Sequence, residues 1–385
     1  MGRRTEKMKK VYISDAVRTP LGTYRGELAA FTEQKLAAMA MLALVNGTGI
    51  DPAVIDEIII GNSKQTSTPS NLARHAQLEA ELPVEVPAYT VQRHSASGLQ
   101  AVVNGFLAIR SGNAEVILAG GTESMSQVPL EIRNARFAFG AETEIIFDPI
   151  ANQLAGAQPS RQYGRAKAED IAATIAGQYG ISRQEIAAYL EADLKKSTGS
   201  KAKAHLLPVE VKKKKVVETI TADQVYQDVP AIAKPADGAA MCLLCSEAAA
   251  EKLGLDIGGE LLGIAFDADH PTGSGYVADR VISQVLAKTG LSLHDMDYIE
   301  ITEFSAAQLL ATCKVLKGMG MDADAIGRKV NSRGGTLVSG LSWGAAGAVL
   351  LTDLFHKLRE ERRKYGMVIT PAEGGQTLAV IIEAK

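Results

Sequence analysis

A chain of 385 residues with 46% hydrophobic residues, 22% charged residues and a formal net charge of −3 has material for a large core and two or three domains. That balance excludes a disordered chain and one that holds nucleic acid through bulk charge. No apolar run reaches the ~18–20 residues a membrane-spanning helix needs, so a soluble globular protein without nucleic-acid or membrane partners is expected.

The first ten residues, Met1 to Lys10, are basic and lead straight into an apolar stretch without the hydrophobic region of a signal peptide. Glu6 stands where myristoylation after Met1-Gly2 favours Ser or Thr, and a cytoplasmic protein is expected. Val11-Tyr12-Ile13 reads as a strand, followed by a polar loop with Arg18-Thr19-Pro20. A helix is predicted from about Glu33 to Leu44, a buried strand over Glu57 to Asn62, and a helix between Pro69 and Leu82. An extended run, Val86 to Val91, enters Gln92-Arg93-His94-Ser95-Ala96-Ser97-Gly98, and a helical pattern leaves through Leu99, Val102, Val103, Phe106 and Ile109. Ala114 to Ala119 forms a third strand with Gly120-Gly121 after it. Continuous apolar strands alternating with helices imply an α/β fold with a parallel sheet covered on both faces.

Residues 127–234 are more charged and irregular, with a helical stretch from Lys167 to Ser197 and a basic run, Lys212 to Lys215. Asp237 to Ala249 returns to a core strand and a helix start. Cys242 and Cys245 have CxxC spacing but sit in this apolar run, where cysteine packs as a small hydrophobe. Metal ligation needs two further ligands that the sequence does not offer, so no metal site is expected. Residues 260–385 echo the first half. Val330 to Gly375 repeats a small-residue turn, a helix and a buried strand with a glycine pair, Gly374-Gly375.

Ser95 lies at the apex of a turn between strand and helix. Free N–H groups and the positive helix end favour negative charge developing there. The stretch Arg93-His94-Ser95-Ala96-Ser97-Gly98-Leu99-Gln100 closely resembles the nucleophile motif of thiolases, with Ser95 at the cysteine position. Ala119-Gly120-Gly121-Thr122-Glu123-Ser124-Met125-Ser126 is similar to a second thiolase segment, and the resemblance continues to the last strand. It implies a thiolase-like α/β fold: two duplicated halves in a layered αβαβα arrangement with an inserted loop domain. The implied domains are 1–126 (completed by about 235–265), the insertion 127–234 on the CoA side, and 266–385. Thiolases are commonly dimers or tetramers, so a homodimer or homotetramer is implied, with a heteromer containing an active thiolase subunit as an alternative.

The resemblance also places four departures. The histidine of the glycine-rich Gly334–Gly344 run is Leu341, with Gly340 before it and Ser342 after. The Asn-Glu-Ala-Phe motif reads Thr302-Glu303-Phe304-Ser305, and the Cys-x-Gly-Gly-Gly motif reads Pro371-Ala372-Glu373-Gly374-Gly375. A thiolase needs a thiolate nucleophile, a histidine, a proton-shuttling cysteine and donors for oxyanions. Here the matching positions are Ser95, Thr302, Leu341 and Pro371, with Glu303 and Glu373 as carboxylates able to act as acid or base. His94, beside Ser95, is a weaker candidate base because adjacent strand side chains point to opposite faces. Gly340, Phe304, Ser305, Gly374 and Gly375 match substrate-side positions. The loop whose serine lies near pantetheine in thiolases is replaced by Ala233-Lys234-Pro235-Ala236. Lys212 to Lys215 either meets CoA phosphates or protects a strand edge.

Two functions stay open. One is an acyl-CoA-binding or partner subunit without ordinary thiolase activity; the other is an active acyl-CoA C-acyltransferase, or a C–C bond-forming or -cleaving enzyme, rebuilt around Ser95. No cofactor is expected, with CoA or an acyl-CoA as ligand.

Overall fold

The computed structural model describes residues 8–132, 146–199, 205–214 and 216–385. The start of the basic N-terminus, parts of the 127–234 segment and, within it, Lys215 lie outside the described residues. The strands are β1 (Val11–Arg18), β2 (Gly22–Thr23), β3 (Glu57–Gly61), β4 (Ala88–Val91), β5 (Val116–Ser124) and β6 (Val209–Lys213). They continue as β7 (Val216–Ile220), β8 (Ala236–Ser246), β9 (Gly259–Ala268), β10 (Tyr298–Ile301), β11 (Tyr365–Ala372) and β12 (Gln376–Ala384).

The duplication is visible in the strand order. In the first half the order runs β1-β8-β5-β3-β4; in the second it runs β9-β12-β11-β10, and Val330 bridges Ile299 as a fifth member. Pairing directions match as well. β8 is antiparallel to β1 and β5, as β12 is to β9 and β11, while β3 and β10 run parallel to their inner neighbours. Tyr12 and Ile13 pair with Glu260 and Gly259, joining both halves into one sheet. The sheet is therefore mixed rather than all parallel. β8 is as continuously buried as β5, which pairs in parallel with β3, because it too is covered on both faces, so hydrophobicity does not reveal its direction.

Period-two alternation sorts the layers. Ile58 and Ile60 face the Glu33–Thr48 and Leu72–Glu79 helices, whereas Ile59 faces the Ser97–Arg110 helix. In the second half, Met367 and Ile369 face outer helices Asp279–Thr289 and Ala306–Gly318, and Val368 turns inward. The two inner helices, Ser97–Arg110 and Ala346–Glu360, share one core through Leu99, Val103, Leu351 and Phe355. The layering is thus α-β-α-β-α.

Several local readings change. β1 extends to Arg18, which is fully buried and bound by Asp223 and Asp353 rather than lying in a polar loop. The Lys167–Ser197 stretch is two helices, Ala168–Tyr179 and Arg183–Gly199, separated at Gly180, whose φ is +58°. Gly120 and Gly121 lie inside β5, while Gly374 and Gly375 form the turn between β11 and β12, so the glycine pairs are not equivalent. Strand β5 continues because Gly120 lets the Ala240 carbonyl approach; a Cβ there would sit 2.0 Å from that oxygen. Cys242 and Cys245 are fully buried on β8, and the described residues contain no cluster able to hold a metal ion. None of the described helices is long and apolar enough to cross a membrane.

Candidate functional site

The turn at Ser95 is closed by its own residues. His94 adopts φ +48°, Ala96 N–H donates to the Arg93 carbonyl at 3.0 Å, and Ser97 N–H donates to the His94 carbonyl at 3.0 Å. The Ser97 hydroxyl donates to the same His94 carbonyl at 2.6 Å and accepts from Arg93 N–H at 2.8 Å. Beneath the turn, helix, strand and loop meet at backbone distance. A Cβ on Gly121 would sit 2.3 Å from the Gly344 carbonyl and 2.8 Å from Gly98 Cα. Only glycines permit this approach, which holds the Ser95 turn against the Leu341 loop.

Ser95 is buried, and its neighbour is Glu373. The Ser95 hydroxyl donates to the Glu373 carboxylate (2.8 Å to Oε1, 2.9 Å to Oε2), and the Ser95 N–H donates to Oε2 at 3.0 Å. Glu373 belongs to the lining of a cavity of about 470 Å³; Ser95 does not. The carboxylate therefore lies between serine and cavity.

Leu341, Phe304, Trp343 and Pro235 share the cavity lining with Glu373, and so do exposed Arg165, Lys167 and Glu169. Phe304 stacks on Tyr276 with ring centroids 5.1 Å apart. Burial, and next the charge of Glu373, push the Tyr276 phenol far above its ordinary range. Lys64 donates to the Pro149 carbonyl at 2.8 Å and lies 5.0 Å over the Trp343 ring. Burial lowers its pKa, while Glu373 and then Glu123 oppose that shift.

The remaining candidates divide. Leu341 is buried and fixed by backbone bonds to Lys234 and Ala236, so the replaced 233–236 segment forms a cavity wall. Pro371 pairs with Thr377 within the β11–β12 hairpin. The Thr302 hydroxyl donates to Thr370 Oγ1 at 3.3 Å, and Thr302 is not a lining residue. Glu303 is buried and accepts from Asn331 Nδ2 (2.8 Å), Leu337 N–H (2.9 Å) and the Tyr189 hydroxyl, so it ties the 331–337 loop to the Arg183–Gly199 helix. Ser305 caps the Ala306–Gly318 helix by accepting from Gln308 N–H, and it is outside the lining. Gly340, at φ +84°, packs on Ala236. Gly374 and Gly375, at φ +80° and +74°, shape the turn that presents Glu373.

His94 lines a separate hollow with Lys64, Gln92 and Glu131. Lys213 pairs with Glu27 (2.6 Å) and Glu218 (2.7 Å) on the β6–β7 hairpin, away from the cavity lining. The basic residues on that lining, Arg165 and Lys167, were not candidates in the sequence; the only signal was their place between two helices. Lys64, Tyr276 and Trp343 lie in loops or a single helical turn, where periodicity gives no cue.

The thiolase N-terminal-domain family model matches residues 11–248, and the thiolase C-terminal-domain model matches residues 259–384. The mitochondrial 3-ketoacyl-CoA thiolase of Rattus norvegicus is 32% identical over 402 residues, covering 98% of this chain and 98% of the relative. The crystal structure of the Bacillus anthracis acetyl-CoA acetyltransferase superposes with a TM-score of 0.90 at 28% identity, over 99% of this chain and 100% of the other. Human mitochondrial 3-ketoacyl-CoA thiolase in complex with CoA gives 0.89 at 30% identity, over 98% and 99%.

Proposed function

The chain belongs to the thiolase family, and from that premise we propose that it binds an acyl-CoA in the cavity above Glu373 without ordinary thiolysis. It works alone or as the partner subunit of an active thiolase. A similar structure contains CoA, which supports CoA as the ligand. The carrying observation is the Glu373 carboxylate on both the O–H and the N–H of Ser95.

Acyl transfer develops negative charge on the carbonyl oxygen, which a preorganised N–H must receive. The Ser95 N–H already faces a carboxylate oxygen. Two unit charges about 4 Å apart at an effective dielectric of ~20 repel by about 4 kcal/mol. That penalty alone slows such a step roughly a thousandfold. Leu341 and Pro371, at cavity and hairpin, hold no proton to exchange. The same reading makes the protein a cytoplasmic homodimer, homotetramer or heteromer, with residues 127–234 as the CoA-side insertion.

A second reading draws on one distance. Glu373 Oε1 lies 2.8 Å from Ser95 Oγ, within reach of a base that activates a nucleophile. Ser95 would then take the acyl group as CoA leaves as thiolate.

Calorimetry with CoA and a spectrophotometric assay of acetoacetyl-CoA cleavage test the proposal together. We expect micromolar CoA binding and no cleavage. Rapid cleavage that Ser95→Ala abolishes supports the second reading, and no CoA binding removes both.

A further inference from the structure

We propose that Asp193 and Glu303 share one proton and with it form a pH-operated latch, which clamps the Arg183–Gly199 helix on the loop leading to Leu341. The link from latch to ligand rests on the acyl-CoA reading, because Leu341 lines the cavity and is bonded to Lys234 and Ala236.

Both carboxyl groups are fully buried, and they meet at Gly335. Asp193 Oδ1 accepts from the Gly335 N–H at 3.0 Å, while a Cβ on Gly335 would overlap the Glu303 carboxyl. One residue earlier, a Cβ on Gly334 would overlap the Ser197 side chain, so helix and loop touch without a gap. Glu303 accepts from three donors, Asn331 Nδ2, the Leu337 N–H and the Tyr189 hydroxyl. Asp193 accepts from Gly335, and its Oδ2 is buried without a hydrogen-bond partner among the described residues. A buried charge needs donors, so Glu303 carries the charge and Asp193 the proton.

The surrounding groups leave that arrangement standing. Lys196, on the same helix, draws the pair toward ionisation and donates to the Val330 carbonyl at 3.3 Å. Glu300, on β10, opposes ionisation and is itself paired with Lys357 at 3.1 Å. Burial holds the Tyr189 phenol and the Cys313 thiol neutral. Burial, and next the charge of Glu303, keep the Asp193 proton above the usual carboxylate range. Once it leaves, like charges face each other across Gly335, one on the helix and one at the loop. A carboxyl freed from the latch loses its proton near pH ~4, so the closed form weakens as pH rises from there through the closed-state titration.

Hydrogen exchange with mass spectrometry on the full-length protein tests the latch. Protection of residues 183–199 and 331–341, corrected for the intrinsic effect of pH, should fall severalfold per unit between pH ~6 and ~8, at most about tenfold for one proton. Asp193→Asn keeps an acceptor for Gly335 and cannot ionise, so it should abolish that fall. Butyryl-CoA, which has no thiol to titrate, should bind roughly 3–10-fold more weakly at pH ~8.5 than at pH ~7, and equally at both in Asp193→Asn. Protection that ignores pH, or a fall that Asp193→Asn retains, overturns the latch. An affinity independent of pH overturns its coupling to the cavity. Butyryl-CoA that binds at neither pH sinks the acyl-CoA reading, and exchange then decides the latch alone. If Asp193→Asn does not fold, the unaltered chain decides: a fall confined to these two segments supports the latch, and one spread over the whole sheet overturns it.

Discussion

The Glu123 carboxylate accepts a 2.7 Å hydrogen bond from the Gly344 N–H, joining the end of β5 to the loop that carries Leu341. The same carboxylate accepts from Asn62 Nδ2 (2.7 Å), Ser63 N–H (2.9 Å) and Lys64 N–H (3.2 Å). Burial pushes its pKa up to about 7, against the pull of these N–H donors. A Cβ on Gly344 would lie 2.7 Å from Glu123 Oε2, so glycine there admits the carboxylate.

Removing that acceptor strands several buried donors at once. Glu123→Ala should therefore lower unfolding stability by roughly 2–4 kcal/mol. Urea denaturation followed by far-UV circular dichroism measures it. A loss below about 0.5 kcal/mol, the level of an ordinary surface change, would mean that the donors find other partners.

Asp193 gives a pH-dependent prediction. It is buried, accepts from Gly335 N–H at 3.0 Å, and is raised to about 8, first by burial and then by the charge of Glu303. In the unfolded chain a carboxyl gives up its proton near pH ~4. Between those values the folded state keeps a proton that the unfolded state has released, so stability falls as pH rises through the window. Asp193→Asn keeps an acceptor for Gly335 and removes the titration. It should be more stable than the parent at pH ~8, by roughly 1–3 kcal/mol, with no such gain near pH 4. Thermal melts across that range check the sign; a gain that is largest at low pH would contradict it.

The exposed basic residues on the cavity lining make the third prediction. Arg165 and Lys167 are exposed, so their pairing with a phosphate is screened by salt. Replacing both by alanine should weaken CoA binding roughly tenfold at low ionic strength and by less at high salt. Stability should be unchanged. Calorimetry at two salt concentrations measures both effects, and an unchanged affinity would move the phosphate site elsewhere.

Much of the fold was legible because burial leaves a mark in sequence. Ile58, Ile59 and Ile60 announce a strand covered on both faces, and Leu99 to Ile109 announces the helix that follows Ser95. Pairing direction was not legible, since β8 and β5 read alike. At the candidate site, a motif-by-motif reading singled out Ser95, Leu341 and Glu373 as candidates, because loop glycines preserve the spacing around them. What it could not give was their contact. Ser95 and Glu373 are 278 positions apart, and only the stacking of two half-sheets brings their side chains together. Ser305 shows the reverse limit. A position on the substrate side of the motif turned out to be a helix cap, because serine before Ala306-Ala307-Gln308 satisfies an open N–H.

The last prediction sets the helix end at Ser95 against Glu373. A cysteine in a turn at a helix N-terminus ordinarily has its thiol pulled below the usual ~8.5. Beside a carboxylate in a buried site, both desolvation and like charge push it the other way. The carboxylate contacts both Oγ and N–H of Ser95, so it should win. Ser95→Cys should therefore titrate above ~8.5 in iodoacetamide alkylation and gain no acetoacetyl-CoA cleavage. Adding Glu373→Gln should lower the alkylation midpoint by about one unit. The native cysteines interfere little, since burial raises Cys242, Cys245 and Cys313 to about 12. A midpoint below neutrality in Ser95→Cys alone would show that the helix end outweighs the carboxylate, and that Glu373 does not set the acidity of the turn.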